Sequence, residues 1–472
     1  MNQKAMGNGK TFLSFAKSSG IFFIGNTMSK VITLLLIPLY TNTLPSADYG
    51  YFDLSITYAT LLTSFLYCDI WSSVMRMMRD NLEGESPWKV VASGWSIFAF
   101  STFLYVAIAI AASFVFEIPS LELILLYGVT TNNQSMFSCI ARGMGSNVDF
   151  AISGVLATLA NVLLNIVLIL WVGIGYEALY ISYSVGFIVQ CVFLAARLRV
   201  WEHMVLPSIL QIKELFIYSA PLGINSVAYW FLNSLSRVVV SMTLSLAANG
   251  VFAIGSKFGS TIALATTCFT LAWQDVAFSN ELRSPNFYST AVVQYTGFLL
   301  SCTAILMPLI SLAFPFIVGS DYTNAYEVVP SFLWVAVASA VSTFIGNIFY
   351  VIKDTRTIGY SMVCSCAINV VLVYPLTVTL GCMGANLSVL IAFVANVVIR
   401  LRILKSKIHM QVRLRSIVLP LALLLLCSTS YFVSIAAVNV ICFAISLLGF
   451  FFIYKTKILL LIESMRSRMG SR

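Results

Sequence analysis

The sequence predicts an all-α polytopic membrane protein with about fourteen transmembrane helices. Three observations carry that reading. Hydrophobic residues make up 59% of the chain and charged residues only 10%, where soluble domains run near half apolar and a quarter charged. Apolar runs of about 20 residues, the length a helix needs to cross a bilayer, recur from end to end. The basic residues also fall almost entirely in alternate connections, as the positive-inside rule requires.

In chain order, the first six candidate spans cover 20–40, 49–74, 88–115, 121–140, 150–172 and 178–196. The next six cover 215–244, 250–272, 288–314, 328–352, 357–379 and 384–399, and a final pair covers 417–433 and 436–454. The connection around 197–214 divides the first two groups. It gives an N-terminal lobe over 1–200, a C-terminal lobe over 201–407, and a pair of extra spans with a basic tail over 408–472. The first apolar run continues to Tyr40 without a small-residue cleavage site, so it reads as a span and not as a signal peptide.

Charge placement tests this count independently. With both ends in the cytoplasm, 24 of the 27 cations lie in inner segments, among them Arg76, Arg79, Arg142, Arg197, Lys213 and Arg400. The outer loops hold Asp48, Glu117, Glu122, Glu177, Asp321 and Glu327 and no cation. The net charge of +9 is thereby explained by topology and by anionic inner-leaflet lipid, not by nucleic acid.

Several functions are excluded. The ten cysteines are scattered through apolar runs and read as small hydrophobes, and only His203 and His409 are available as histidines. Neither a metal centre nor a His-based triad is expected, and there is no phosphate-binding GxxxxGK[ST] loop. The longest outer loop, around 315–326, has about a dozen residues and no His, Lys or Arg, so it lacks groups for acid–base chemistry. A compact helical body with its chemistry inside the membrane suggests a transporter.

Three cations remain within spans: Lys30 in the first, Arg237 in the seventh and Lys257 in the eighth. Asp53 and Asp69 lie in the second span, near its outer and inner ends respectively. A charge at a helix centre costs roughly 2.5–3.5 kcal/mol on insertion scales, so three unpaired cations would cost about 8–10 kcal/mol. They are therefore expected to face a wet, net-positive cavity suited to phosphate or pyrophosphate, with Arg237 best matched by its guanidinium fork. The competing arrangement pairs Lys30 with Asp53 and lets the other two reach toward water.

Asn26, Asn225 and Asn233 are candidate polar lining, while helix–helix hydrogen bonding accounts more simply for residues such as these and for Asn161 and Asn165. Trp95 and Trp230 read as packing residues before sugar platforms. Pro38 and Pro221 interrupt the first and seventh spans. A weak internal repeat accompanies them. Ser29-Lys30-Val31 echoes Ser236-Arg237-Val238, and Tyr49-Gly50-Tyr51-Phe52 echoes Asn249-Gly250-Val251-Phe252. A duplicated six-span unit is a common transporter plan.

Ile37-Pro38-Leu39-Tyr40-Thr41, Leu44 and Asp48-Tyr49-Gly50 resemble the opening signature of polysaccharide-biosynthesis flippases. These belong to the multidrug/oligosaccharidyl-lipid/polysaccharide exporter superfamily, which includes the O-antigen (Wzx-type) flippases. Asn249-Gly250-Val251-Phe252 and Ala272-Trp273-Gln274 look like the same group. The resemblance implies two six-helix lobes around a central cavity plus two C-terminal helices. It further implies alternating-access transfer of an undecaprenyl-pyrophosphate-linked sugar unit across the bacterial cytoplasmic membrane. Lys30, Arg237 and Lys257 would then attract the pyrophosphate. Many relatives carry Asp before the seventh-span Arg where this chain has Ser236, so Arg237 is expected to lack a neighbouring counter-ion.

No cofactor is expected. A proton or sodium gradient is the energy source the resemblance suggests, with Asp53 or Asp69 as its carrier. Partners would be the lipid-linked oligosaccharide, membrane lipids and other polysaccharide-assembly membrane proteins. An ion-coupled multidrug exporter is the second reading, disfavoured by the excess of buried cations. A membrane glycosyltransferase or polymerase is the third.

Overall fold

The computed structural model describes residues 34–80, 86–203, 205–262, 266, 284–352, 354–412 and 414–469. These contain fifteen α-helices and no strand. They are α1 (Ile37–Thr43), α2 (Ser46–Tyr67), α3 (Ile70–Asp80), α4 (Pro87–Ser113), α5 (Leu121–Gly143), α6 (Asn147–Ile166), α7 (Glu177–Leu198) and α8 (Ile209–Asn233). Then follow α9 (Leu235–Thr243), α10 (Leu246–Gly259), α11 (Pro285–Ile317), α12 (Ala325–Val351), α13 (Thr355–Ile408), α14 (Val418–Val433) and α15 (Ala436–Met469). Among the described residues, nine helices are long and apolar enough to cross a membrane. One of the nine, over Arg356–Ile408, is two arms meeting at Gly381, whose φ of 61° takes the left-handed region that glycine tolerates. The protein is a multi-pass membrane protein. Its count of fourteen spans is not fixed by these helices, since most of the first expected span lies outside the described residues.

Helix ends follow charge. Glu122 and Arg142 open and close α5, and Glu177 and Arg197 do the same for α7, each sign opposing the helix dipole. Arg197 reaches Asp149 in the first turn of α6 at 2.8 Å, tying neighbouring ends of antiparallel helices. Beyond α6 a π-helical stretch, Val167–Val172, closes on Gly173 at φ 75°.

The second expected span is not continuous. Cys68 and Asp69 both have positive φ (47° and 53°), so α2 stops there. The Asp69 carboxylate accepts from the Ser72 hydroxyl at 3.0 Å in the first turn of α3. Ile70, Val74 and Met78 recur every fourth residue and are fully buried, while Arg76 and Arg79 lie off that stripe. The helix therefore ends at Tyr67, and an amphipathic helix takes over after the two left-handed residues. The seventh expected span is likewise two helices. Asn369 donates to the carbonyls of Phe231 and Leu232, groups freed where α8 gives way to α9.

The chain forms two compact units. Unit 1 holds the described residues up to Ile254, with Ser320–Tyr322 and Met362–Ala392. Unit 2 holds Gly255–Gly319, Thr323–Ser361 and Phe393–Arg472. In unit 1, α3 packs with α4, α5 and α8 around Tyr67, Val74, Met78, Phe98 and Met136. In unit 2, α14 and α15 pack on α11, and Tyr295 stacks on Phe344 with centroids 4.3 Å apart. Phe65, Phe100, Phe103 and Leu426 stay exposed, as expected where lipid is the solvent.

Candidate functional site

The site is built where α2, α9 and α10 meet in unit 1. Asp53 lies two turns into α2, about 10 Å from its start. Arg237 comes from α9, and its Nε stands 2.8 Å from the Asp53 Oδ2. The Nε–H is not aligned on that oxygen, so the contact is an ion pair and not a directed hydrogen bond. Asn249 of α10 donates to the Gly50 carbonyl at 2.9 Å and to Asp53 Oδ2 at 3.5 Å. The pair keeps 23% (Arg237) and 17% (Asp53) of its side-chain surface exposed, enough for contact with water or a ligand.

This corrects the expectation that Arg237 lacks a counter-ion. The acid comes from another helix, 184 positions earlier in the chain, where no local motif could reveal it. The alternative in which Lys30 is the partner of Asp53 falls on a residue outside the described ones.

Glycine brings the helices this close. A Cβ on Gly50 would overlap the Leu246 carbonyl oxygen, and one on Gly250 would overlap the Ser46 carbonyl oxygen. The two echoing motifs, Tyr49-Gly50-Tyr51-Phe52 and Asn249-Gly250-Val251-Phe252, thus touch each other across a reciprocal backbone crossing. The start of α2 is held from far along the chain: the Ser46 N–H donates to Asp321, and the Tyr322 hydroxyl donates to the Leu44 carbonyl at 3.0 Å.

Aromatic rings gather around Phe52, the neighbour of Asp53 in α2. Tyr183 lies parallel to Phe52 at 6.2 Å and meets Tyr127 edge-on at 6.1 Å; Phe187 adjoins it at 6.2 Å. Tyr180 is fully buried and shares a short hydrogen bond with Ser55. Tyr127, Tyr183 and Phe187 are only half-buried. Sequence reasoning missed this array. Its signal was the aromatic positions 176, 180, 183 and 187 along one helix, a spacing of three and four residues.

The other expected site residues are dispersed. Lys30 and Asn26 lie outside the described residues. Lys257 is half-buried in α10 and belongs to unit 2. Asp69 is sixteen residues beyond Asp53, past the end of α2, and its carboxylate accepts from the Ser72 hydroxyl. Asn225 is exposed, and Asn233 donates to the Tyr229 carbonyl at 2.9 Å within its own helix. Asn165 and Asn161 bond to each other at 2.7 Å. Trp230 is buried and its indole N–H donates to the Thr57 carbonyl at 3.0 Å, while Trp95 packs on Phe98 and Phe137.

Unit 2 contains a cation that the charge count had placed with the topogenic residues. Arg400 is only 4% exposed. Its guanidinium donates to the Ser342 carbonyl at 2.6 Å and the Ser361 hydroxyl at 2.9 Å. Asn396 completes the set, donating to the Ser361 carbonyl at 2.8 Å. Gly346 leaves the room for it, since a Cβ there would lie 2.8 Å from a guanidinium nitrogen.

Solved structures share this architecture. A lipid II flippase, MurJ, in an inward closed conformation matches with a TM-score of 0.73 at 15% identity, over 93% of this chain and 100% of that one. An inward-facing multidrug resistance transporter of the MATE family of the MOP superfamily matches with a TM-score of 0.61 at 15% identity, over 80% and 95%. A MOP superfamily transporter from Pyrococcus furiosus gives 0.51 at 16% identity, over 88% and 96%. At such identities the likeness shows the fold, which is that of flippases and transporters. No curated protein sequence matches the chain. The family model described as polysaccharide biosynthesis protein matches residues 15–273, more than half of the chain and the whole of the site around Asp53 and Arg237. The chain belongs to the polysaccharide biosynthesis protein family.

Proposed function

We propose that the protein is a flippase that moves an undecaprenyl-pyrophosphate-linked oligosaccharide, an O-antigen or similar surface-polysaccharide unit, across the bacterial cytoplasmic membrane by alternating access. One observation carries the reading: a partly open Arg237–Asp53–Asn249 set beside the half-buried rings of Tyr127, Tyr183 and Phe187. Rings offer flat apolar faces to sugar C–H groups, and the charged and amide groups offer directed partners to hydroxyls and phosphate. Lys30 and Lys257 would add positive charge to the same path, between lobes over 1–200 and 201–407. Both chain ends would lie in the cytoplasm, and the outward acids Asp48, Glu117 and Glu177 would face away from it.

Asp53 is the candidate for sensing a proton or sodium gradient, because it faces Arg237, whereas the Asp69 carboxylate accepts from the Ser72 hydroxyl away from that site. A multidrug exporter of the same superfamily is disfavoured, since its cationic substrates would meet an acid already held by Arg237. The same short outer loops disfavour a glycosyltransferase or polymerase.

The experiment is a complementation assay in a strain deleted for this gene. Arg237→Ala or Lys257→Ala should abolish surface polysaccharide and accumulate the lipid-linked intermediate, with membrane insertion unchanged. Arg237→Lys should rescue only in part, because an ammonium cannot reproduce the guanidinium fork. Normal surface polysaccharide in both alanine variants would reject the assignment.

A further inference from the structure

Unit 1 carries a cavity that the proposed transport path does not use. It has a volume of about 890 Å³ and lies between the end of α2, the middle of α4 and α8 from Ile209 to Val227. Its walls are almost wholly apolar, with Phe65, Phe100 and Phe216 at more than half exposure. The floor is made where α8 meets the α2–α3 break: Gly223 allows this approach, since a Cβ there would lie 2.9 Å from the Cys68 Cα. Among the described residues that line the cavity, one is charged, Lys213, near the start of α8.

We propose that this groove binds one anionic phospholipid, with an acyl chain along α8 and its phosphodiester on Lys213. Length supports that occupant. From Lys213 to Val227 the groove follows α8 for roughly 21 Å, enough to take a chain through one leaflet of a hydrocarbon core about 30 Å thick. Depth supports it as well. Leu206 and the first turn of α8 (Ile209 and Leu210) expose apolar side chains before the cation, and Phe216 and Ile217 do so after it. Lys213 is thus an exposed cation set within apolar surface, and its flexible stem lets the ammonium reach the level of a lipid headgroup. A single cation at the mouth matches a headgroup of one net negative charge. The inference concerns a lipid that stays with the protein, and it stands or falls apart from the transported substrate.

The test is native mass spectrometry of the full chain released from mixed micelles containing phosphatidylglycerol or phosphatidylcholine with identical acyl chains. Wild type should retain phosphatidylglycerol about fivefold better, the factor a basic residue near an anionic surface supplies. Lys213→Glu should erase the preference. Ala220→Phe, which fills the groove, should lower retention of both lipids at an unchanged thermal midpoint. Val227→Phe, at the far end, serves the same purpose if Ala220→Phe does not fold. Equal retention of the two lipids by wild type would reduce the groove to ordinary lipid contact and overturn the proposal. So would unchanged retention in a folded groove-filling variant.

Discussion

At the scale of single residues, Arg237 illustrates how a charge is tolerated among packed helices. An isolated guanidinium there would cost several kcal/mol, and the Asp53 carboxylate at 2.8 Å offsets that while leaving both groups partly open. The pair should therefore be coupled energetically. In a double-mutant cycle over Asp53→Asn and Arg237→Gln, the thermal stability of purified protein should reveal an interaction of about 0.5–3 kcal/mol. Additive effects would show that the two groups act separately. Asp354 makes the same point at a helix end. It caps α13 through Thr357 and pairs with Lys407, and that ammonium, with the Thr357 hydroxyl, holds its carboxyl below the ordinary range. A lowered folded-state pKa gives stability that is present above the usual carboxylate pKa and disappears as pH falls through the lowered value. Asp354→Ala should cost about 1 kcal/mol at neutral pH, mostly as a lost cap because the Lys407 pair is half-exposed. The difference from wild type should shrink toward zero in acid, as read by thermal unfolding at a series of pH values.

At the scale of elements, the crossing of α2 and α10 depends on two glycines whose missing Cβ atoms would strike backbone. Backbone cannot step aside as a side chain can. Gly50→Ala and Gly250→Ala should each destabilise by about 1–3 kcal/mol or more, seen as loss of monodisperse protein on size-exclusion chromatography. Gly154 in α6 has nothing within 4 Å of a built Cβ. Gly154→Ala should be neutral or stabilise by up to about 1 kcal/mol, since alanine is the better helix former. Equal behaviour of the three variants would mean that the crossing is not tight.

For the whole molecule, the orientation expected from charge placement is testable. Cysteine introduced at Glu117 should react with an impermeant maleimide in intact cells, whereas cysteine at Arg199 should react only after lysis. The reverse pattern would invert the topology. Burial also matters at this scale. Arg400→Ala should cost about 3 kcal/mol or more, because it empties a packed site and strands the Ser342 and Ser361 groups that now accept from the guanidinium.

How far the sequence went depends on the range of the interaction concerned. Membrane character and approximate spans come from composition, which acts residue by residue against lipid and water. Thus α4, α5 and α7 fall within a few residues of their expected positions. The αL break at Cys68–Asp69 stayed hidden because an apolar run reads the same whether it continues or turns. The Asp53–Arg237 pair, the Gly50–Gly250 crossing and the burial of Arg400 join residues far apart in the chain, and only packing brings them together. One echo of the internal repeat, Tyr49-Gly50-Tyr51-Phe52 with Asn249-Gly250-Val251-Phe252, took on meaning when its two segments were found against each other. Solvent preference is written locally, whereas the partner of a buried charge is set by how helices pack.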